Sequence, residues 1–154
     1  MLTQNRLPIS LSLLSTDLPL LTSIEAEAVI QQNSPEQFHI LLNTANIPCS
    51  VVENSTPQSL NRQLLWLELS PTRAVMTVQG IGCFSYRHFW EKGVYGKSQY
   101  WLNNADHPKF LLRNYTRDFQ FIWKKLPQYF RLEYELWTGK LKMGHYALHL
   151  EIYH

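Results

Sequence analysis

The chain has 154 residues, a length that favours one domain with a single hydrophobic core. Apolar residues make up 45% and charged residues 17% of the chain, which excludes a disordered or collagen-like protein. The formal net charge of +2 indicates no particular partner, and no run approaches the roughly eighteen uncharged apolar residues of a membrane-spanning helix. Residues 1–154 are therefore expected to form one globular domain without a membrane span.

Charged and aromatic residues are unevenly distributed along the chain. Residues 1–70 carry two bases and six acids, whereas residues 71–154 carry twelve bases and six acids, together with eighteen of the twenty aromatic residues. Such a half is a candidate face for RNA or single-stranded DNA, because cations neutralise phosphates and rings stack on bases. The alternative is that the aromatic residues fill a sheet whose outer face is solvated.

Cysteine usage and the amino terminus bear on location. Cys49 and Cys83 have neither a CxxC partner nor zinc-ligand spacing, which predicts two buried thiols in a reducing compartment. The apolar stretch 8–14 lacks the basic region and cleavage site of a signal peptide. We therefore expect a cytoplasmic protein that holds no metal.

The first elements along the chain are predicted to be two helices. Thr22 and Glu25 form a T-x-x-E capping box, which predicts a helix that runs to about Gln32. A second capped helix is predicted from Ser34, with Pro35 at its first position. Its apolar residues follow the spacing i, i+3, i+4 and i+7: Phe38, Leu41, Leu42 and Ala45.

From Ile47 onward the hydrophobic period predicts strands. They are expected at residues 47–53, 62–69, 74–79, 83–90, 95–102 and 130–136, followed by a long last strand after the turn at Thr138–Gly139. Residues 116–126 fit a short helix and a strand equally well. The apolar phase slips beside Gly144, which predicts a β-bulge there. The predicted fold class is α+β, with two amino-terminal helices on a mostly antiparallel sheet of about six strands.

Several short stretches resemble the chorismate pyruvate-lyase family, whose single-domain α+β fold is related to the UTRA ligand-sensing domains. They are residues 32–38, 62–65, 116–119, 138–140 and 148–153. The resemblance implies an enzyme of quinone biosynthesis that eliminates pyruvate from chorismate, leaves 4-hydroxybenzoate and needs no cofactor. The chain departs from the family in a longer hairpin after Gly139 and in a poor match between residues 80 and 108.

The resemblance also implies site residues. Arg62 corresponds to the arginine that grips a substrate carboxylate, and Glu151 to the active-site glutamate of the final strand, the candidate proton donor in an enclosed pocket. Arg73 is the alternative carboxylate binder. His149 shares a strand face with Glu151, so the two are within reach of one ligand. His145 and His149 lie roughly 13 Å apart on an extended strand, too far to bind one metal ion.

Two other functions fit the same sequence. One is a non-catalytic domain of the same fold that binds a small aromatic or carboxylate ligand. The other is an RNA- or single-stranded-DNA-binding module built on the basic, aromatic half of the chain, with Arg87, Trp90, Lys92, Lys97, Trp101, Lys124 and Lys125.

Overall fold

The computed structural model describes residues 3–15, 20–44, 63–80, 84–102 and 110–154. These residues form ten strands: β1 (Thr3–Ser15), β2 (Leu20–Ser34), β3 (Gln37–Thr44), β4 (Gln63–Leu69), β5 (Arg73–Gly80), β6 (Phe84–Glu91), β7 (Tyr95–Leu102), β8 (Phe110–Trp123), β9 (Pro127–Thr138) and β10 (Leu141–Ile152). None of the described residues forms a helix, so this part of the chain contains no helix long and apolar enough to cross a membrane.

The ten strands form a closed antiparallel barrel in which each strand pairs with its neighbours in the chain. The barrel closes between β1 and β10, where Ile9 lies opposite Ile152 and Ser15 opposite Tyr146. Because the strands alternate in direction, tight turns at 35–36, 70–72, 92–94 and 124–126 gather at one end, here called the turn end. The opposite end, here called the far end, carries the turn between β9 and β10.

The predicted α+β class and its two amino-terminal helices are wrong, because residues 22–32 lie in β2 and residues 37–44 in β3. In β2, Ile24 and Ala28 are buried while Glu25 and Glu27 are exposed, which is the two-residue period of a strand. In β3 the buried residues are Phe38, Ile40 and Leu42. The predicted helical stripe mixed residues of the two faces of this strand. Pro35 and Glu36 form the turn between the strands rather than a helix start.

Several local predictions after Ile47 are confirmed. The hairpin expected at 83–90 and 95–102 is β6 and β7, and the ambiguous segment after Thr116 is the second half of β8. The pairing register between β9 and β10 shifts between Lys142 and Gly144, as the predicted bulge requires. Gly139 has a φ of 59°, the left-handed conformation of a tight turn. The predicted strand at 47–53 and both cysteines lie outside the described residues.

The barrel interior is divided between apolar and polar side chains. Strands β1–β5, β9 and β10 contribute a continuous apolar core, in which the largest side chains with almost no exposure include Phe38, Phe130, Ile9, Leu67 and Leu148. Each of these stabilises the fold by roughly 1.5–3 kcal/mol relative to an exposed position. Strands β6, β7 and β8 instead turn several polar and aromatic side chains inward, and this difference positions the site described next.

Candidate functional site

Polar and aromatic side chains line the part of the interior that β6, β7 and β8 enclose. His88 of β6 lies opposite the buried Met76 of β5 and opposite Ser98 of β7, so alternate residues of both strands point inward. Asn114 and Thr116 of β8 are fully buried on the same side. Together with their neighbours from β9 and β10, these residues form what is here called the polar layer: Tyr86, His88, Trp90, Ser98, Tyr100, Asn114, Thr116, Tyr134 and Tyr146.

A hydrogen-bond network joins β6, β7 and β8 inside the polar layer. Nδ1 of His88 lies 2.6 Å from Oγ of Ser98, and Nε2 of His88 lies 3.5 Å from the hydroxyl of Tyr100. Asn114 donates through Nδ2 to Oγ of Ser98 at 2.8 Å and to the carbonyl oxygen of Phe89 at 3.0 Å. Both ring nitrogens of His88 therefore face hydroxyl groups, which suit a neutral imidazole.

Glycine at position 96 allows β7 to approach β6 closely beside this network. A Cβ atom at Gly96 would overlap the carbonyl oxygen of Phe89 and would lie 3.0 Å from Oδ1 of Asn114. The same carbonyl oxygen accepts the hydrogen bond from Asn114. The absence of a side chain at Gly96 thus positions Asn114 within the layer.

Burial favours the neutral forms of His88, Tyr86, Tyr100 and Tyr134 in the polar layer. Burial lowers the pKa of His88 from 6.5 to about 3. Burial raises the pKa of Tyr86 to about 12; burial also raises the pKa of Tyr100 and of Tyr134, with the neighbouring tyrosine hydroxyls adding to the effect. Among the described residues no lysine, arginine, aspartate or glutamate is buried. A ligand in this layer would meet neutral hydrogen-bonding groups only.

Aromatic rings form the walls of the polar layer. The Trp90 ring stacks on His88 with centroids 5.0 Å apart and planes at 10°. Tyr134 lies 5.0 Å from Trp90 and stacks on Tyr146 at 5.4 Å. Such flat, polarisable walls suit a planar ligand.

Three buried polar atoms of the layer have no hydrogen-bond partner among the described residues: Nε1 of Trp90, Oδ1 of Asn114 and Oγ1 of Thr116. They comprise a donor, an acceptor and a hydroxyl that can act as either. A buried polar group without a partner costs roughly 1–3 kcal/mol, so native proteins rarely leave one unsatisfied. Ordered water or a bound polar molecule would satisfy these three atoms.

Three tyrosines of the polar layer reach solvent. Tyr86, Tyr100 and Tyr146 point inward yet remain partly exposed, so each borders space large enough for water. Phe110, opposite Tyr100 in β8, is exposed at the far end. A Cβ atom at Gly144 would lie 2.7 Å from the hydroxyl oxygen of Tyr146, so the Tyr146 ring leans over Gly144.

Of the described residues implied by the chorismate-lyase resemblance, the structure brings together His149 and Glu151 on β10 but not Arg73. Glu151 lies on the outer face of β10, because Leu150 and Ile152 on either side of it are buried. Its side chain is 46% exposed, lies 3.4 Å from Nε2 of His149 and accepts a hydrogen bond from the Tyr153 hydroxyl. An enclosed chamber was predicted around this carboxylate; the described residues place it on the outer face, since the terminal strand turns its even-numbered residues inward.

Of the two candidate arginines, Arg73 lies apart from Glu151. Arg73 begins β5, and four strands separate β5 from β10 in either direction around the barrel. Its side chain is 68% exposed, with Nε 4.0 Å from Glu91. It lines an open surface pocket of about 210 Å³ at the turn end, together with His39 and Glu68, which lie 3.5 Å apart. Arg62 lies outside the described residues.

The residues proposed for nucleic-acid binding are divided between the interior and the surface. Trp90 is fully buried in the polar layer, where its ring cannot stack on a base. Arg87, Lys92 and Lys97 are exposed, and Lys124 and Lys125 form the turn between β8 and β9. In the described residues no cluster of histidine, cysteine, aspartate and glutamate is suited to a metal ion.

Sequence reasoning missed the contribution of His88, Asn114 and Thr116. Tyr86, His88 and Trp90 alternate with charged or exposed residues, which is the pattern of a strand with one buried face. Because Phe89 on the opposite face is also aromatic, the pattern did not show which face of β6 points into the barrel. Asn114 and Thr116 carry no local signal, because their burial depends on the strands that pair with β8.

Comparison with known proteins shows the fold alone. No family model matches the chain, and no curated protein matches it. Among solved structures, the chain is similar to the ywiB protein from Bacillus subtilis, with a TM-score of 0.60 and 8% sequence identity. The match covers 99% of this chain and 94% of the ywiB chain, so the two share the same overall architecture.

Proposed function

We propose that this protein binds a small, uncharged aromatic molecule in the polar layer of its barrel. The observation that carries the proposal is the set of three buried, unpartnered atoms on Trp90, Asn114 and Thr116. Barrels of this kind commonly hold one small ligand inside, between apolar walls and a few oriented polar groups.

The chemistry of the layer selects the ligand class. Trp90 offers an N–H donor, Asn114 offers a carbonyl acceptor, and the rings of Tyr134 and Tyr146 offer flat contact surfaces. An ionised carboxylate buried without a cation would cost several kcal/mol. The ligand is therefore a neutral aromatic compound that carries an acceptor and a donor, such as an aromatic amide.

The same arguments favour binding over catalysis. With a pKa of about 3, His88 is a neutral imidazole at neutral pH and lacks the imidazolium proton that a general acid would donate. Elimination of pyruvate from chorismate stays a prediction of the family resemblance, and release of pyruvate from chorismate is its test. Chorismate carries two carboxylates, for which the described interior offers no buried arginine or lysine.

A matched pair of probes tests the proposed ligand class. We expect 4-hydroxybenzamide to raise the melting temperature and to shift the Trp90 indole N–H signal in a ¹⁵N-correlation spectrum, with 4-hydroxybenzoate having little effect. Trp90→Phe assigns that signal among the tryptophans. Because the probes differ mainly in charge, an equal or stronger effect of 4-hydroxybenzoate would contradict a neutral site.

Removal of one hydroxyl tests the location of the site. Thr116→Val keeps the shape of the side chain but deletes Oγ1, so we expect 4-hydroxybenzamide to bind about five-fold more weakly, the loss of one neutral hydrogen bond. Thr72→Val, at an exposed position in the turn before β5, is the control and should leave the affinity unchanged. Equal affinities for both variants would place the ligand elsewhere.

A further inference from the structure

The outer face of β6, β7 and β8 combines exposed rings with cations that form no ion pair among the described residues. Its residues are here called the basic face: Arg87, Phe89, Tyr95, Lys97, Arg113 and Tyr115. They alternate with the inward-pointing residues of the polar layer, so the two surfaces lie on opposite sides of the same sheet.

The cations of the basic face have no acidic partner in the part of the chain that the structure describes. Lys97 lies directly opposite Arg113 in the β7–β8 pairing, an arrangement of like charges that destabilises a sheet. Among the described residues neither of them, nor Arg87, forms an ion pair. The nearby acids are engaged elsewhere, Glu91 with Arg73 and Glu135 with Arg117.

The outer face of the next strands shows the opposite pattern. There each of the basic side chains Arg117, Arg131 and Lys142 has a carboxylate oxygen within 3.7 Å. Charge compensation is thus found at Arg117 of β8 and on β9 and β10, whereas no ion pair is formed around Lys97 and Arg113 among the described residues. An uncompensated cation pair is expected where an external anion neutralises it.

Aromatic rings accompany these cations. Tyr95 is 55% exposed and Phe89 is 37% exposed. The Tyr95 ring lies 5.0 Å from that of Tyr115, and the Arg113 guanidinium sits 4.9 Å from the Tyr95 centroid. Exposed rings held beside cations are the elements on which unpaired bases stack while the phosphates contact the charges.

We propose that the basic face binds single-stranded nucleic acid. Arg87, Lys97 and Arg113 contact backbone phosphates, and Tyr95 and Phe89 stack on bases. The rings favour a single strand over a duplex, in which the base faces are covered. This set shares Arg87 and Lys97 with the residues suggested by the sequence. It omits Trp90, Lys92, Trp101, Lys124 and Lys125, and it adds Phe89, Tyr95 and Arg113. It does not depend on the ligand proposed for the interior.

Salt dependence tests the contribution of the cations. Fluorescence anisotropy with a labelled oligothymidylate of about fifteen nucleotides should show binding whose log–log salt slope is about −2, as expected for three phosphate contacts. The double variant Lys97→Gln/Arg113→Gln should reduce the slope by about 1.4. Lys124→Gln/Lys125→Gln removes the same charge at another exposed site and should not change the slope.

A second variant tests the stacking. In the salt test, thermal melting checks that the Lys97→Gln/Arg113→Gln variant is folded, because Arg113 also donates a hydrogen bond to the carbonyl oxygen of Gly139 at 2.6 Å. If the double variant unfolds, the single variant Lys97→Gln replaces it in the salt test. Tyr95→Leu should weaken oligothymidylate binding about ten-fold with an unchanged salt slope. Equal binding of duplex, binding only to phosphatidylserine vesicles, or no binding at low salt would each overturn the proposal.

Discussion

His88 is buried within the polar layer, stacked on Trp90 and in contact with the Ser98 hydroxyl. Its neutral form is favoured because no acidic side chain is buried among the described residues and water is excluded from the ring. The same exclusion accounts for the neutral tyrosines around it. One buried imidazole therefore couples the stability of the barrel to pH.

The sign of this coupling gives a prediction. The folded protein keeps His88 neutral down to about pH 3, whereas the unfolded chain takes up the proton near pH 6.5. The contribution of His88 to the free energy of unfolding is thus complete above pH 6.5. It falls as the pH drops from 6.5 toward 3, by at most about 1.4 kcal/mol per pH unit.

Urea unfolding at several pH values tests this coupling. The free energy of unfolding should decline less steeply with falling pH for His88→Gln than for the wild type. His154→Gln, at an exposed position, is the control, and identical slopes for all three proteins would contradict the buried neutral imidazole.

Strand β2 shows that tertiary packing can override a local preference for helix. The segment carries a helical capping pattern at Thr22 and Glu25, yet it folds as a strand because its residues alternate between the core and solvent. A capping box contributes about 1 kcal/mol. Burial of Ile24 and Ile30 against the neighbouring strands contributes more, so packing overrides the local preference.

Neighbouring positions in β2 should therefore differ sharply in how much a polar substitution destabilises the fold. Ala28→Gln places an amide in the core where Ala28 is fully buried, and we expect the free energy of unfolding to fall by about 3 kcal/mol. Glu27→Gln introduces the same side chain at the adjacent exposed position and should change it by less than about 0.5 kcal/mol. Chemical denaturation measures both. Similar effects at the two positions would be inconsistent with a strand here.

Closure of the barrel removes the edge strands that an open sheet would have. Strand β1 pairs with both β2 and β10, so every strand has two neighbours. Closure also separates an interior from an exterior, and strands β6–β8 present a neutral layer to one side and a basic face to the other. Both proposed binding surfaces depend on this separation.

The closing pair provides a prediction for the molecule as a whole. Amides of residues 9–15 in β1 and 146–152 in β10 should exchange with solvent as slowly as those of β4 and β5, because the β1–β10 pairing protects both strands. The exposed turn residue Thr72 gives a fast reference. Hydrogen exchange followed by NMR measures these rates. Rapid exchange confined to β1 and β10 would indicate an open sheet.

Local patterns in the sequence predicted much of the chain after residue 62. The β6–β7 hairpin, the turn at Gly139 and the bulge beside Gly144 depend on alternation and turn residues within a few positions of one another. The helices predicted before residue 46 were wrong because capping signals and a partial helical spacing were weighed above the alternation of β2 and β3. The spacing of apolar residues distinguishes a helix from a strand reliably only when it is known which face of the element is buried.

The closed barrel and its polar layer depended on contacts between residues distant in the chain. Ile9 pairs with Ile152, and no pattern near either residue specifies the other. Likewise, Trp90, Asn114 and Thr116 gather only because β6 and β8 approach across the short β7 at Gly96. Strand order and the inward side of each strand follow from the free energy of burying all ten strands together, which no single segment encodes.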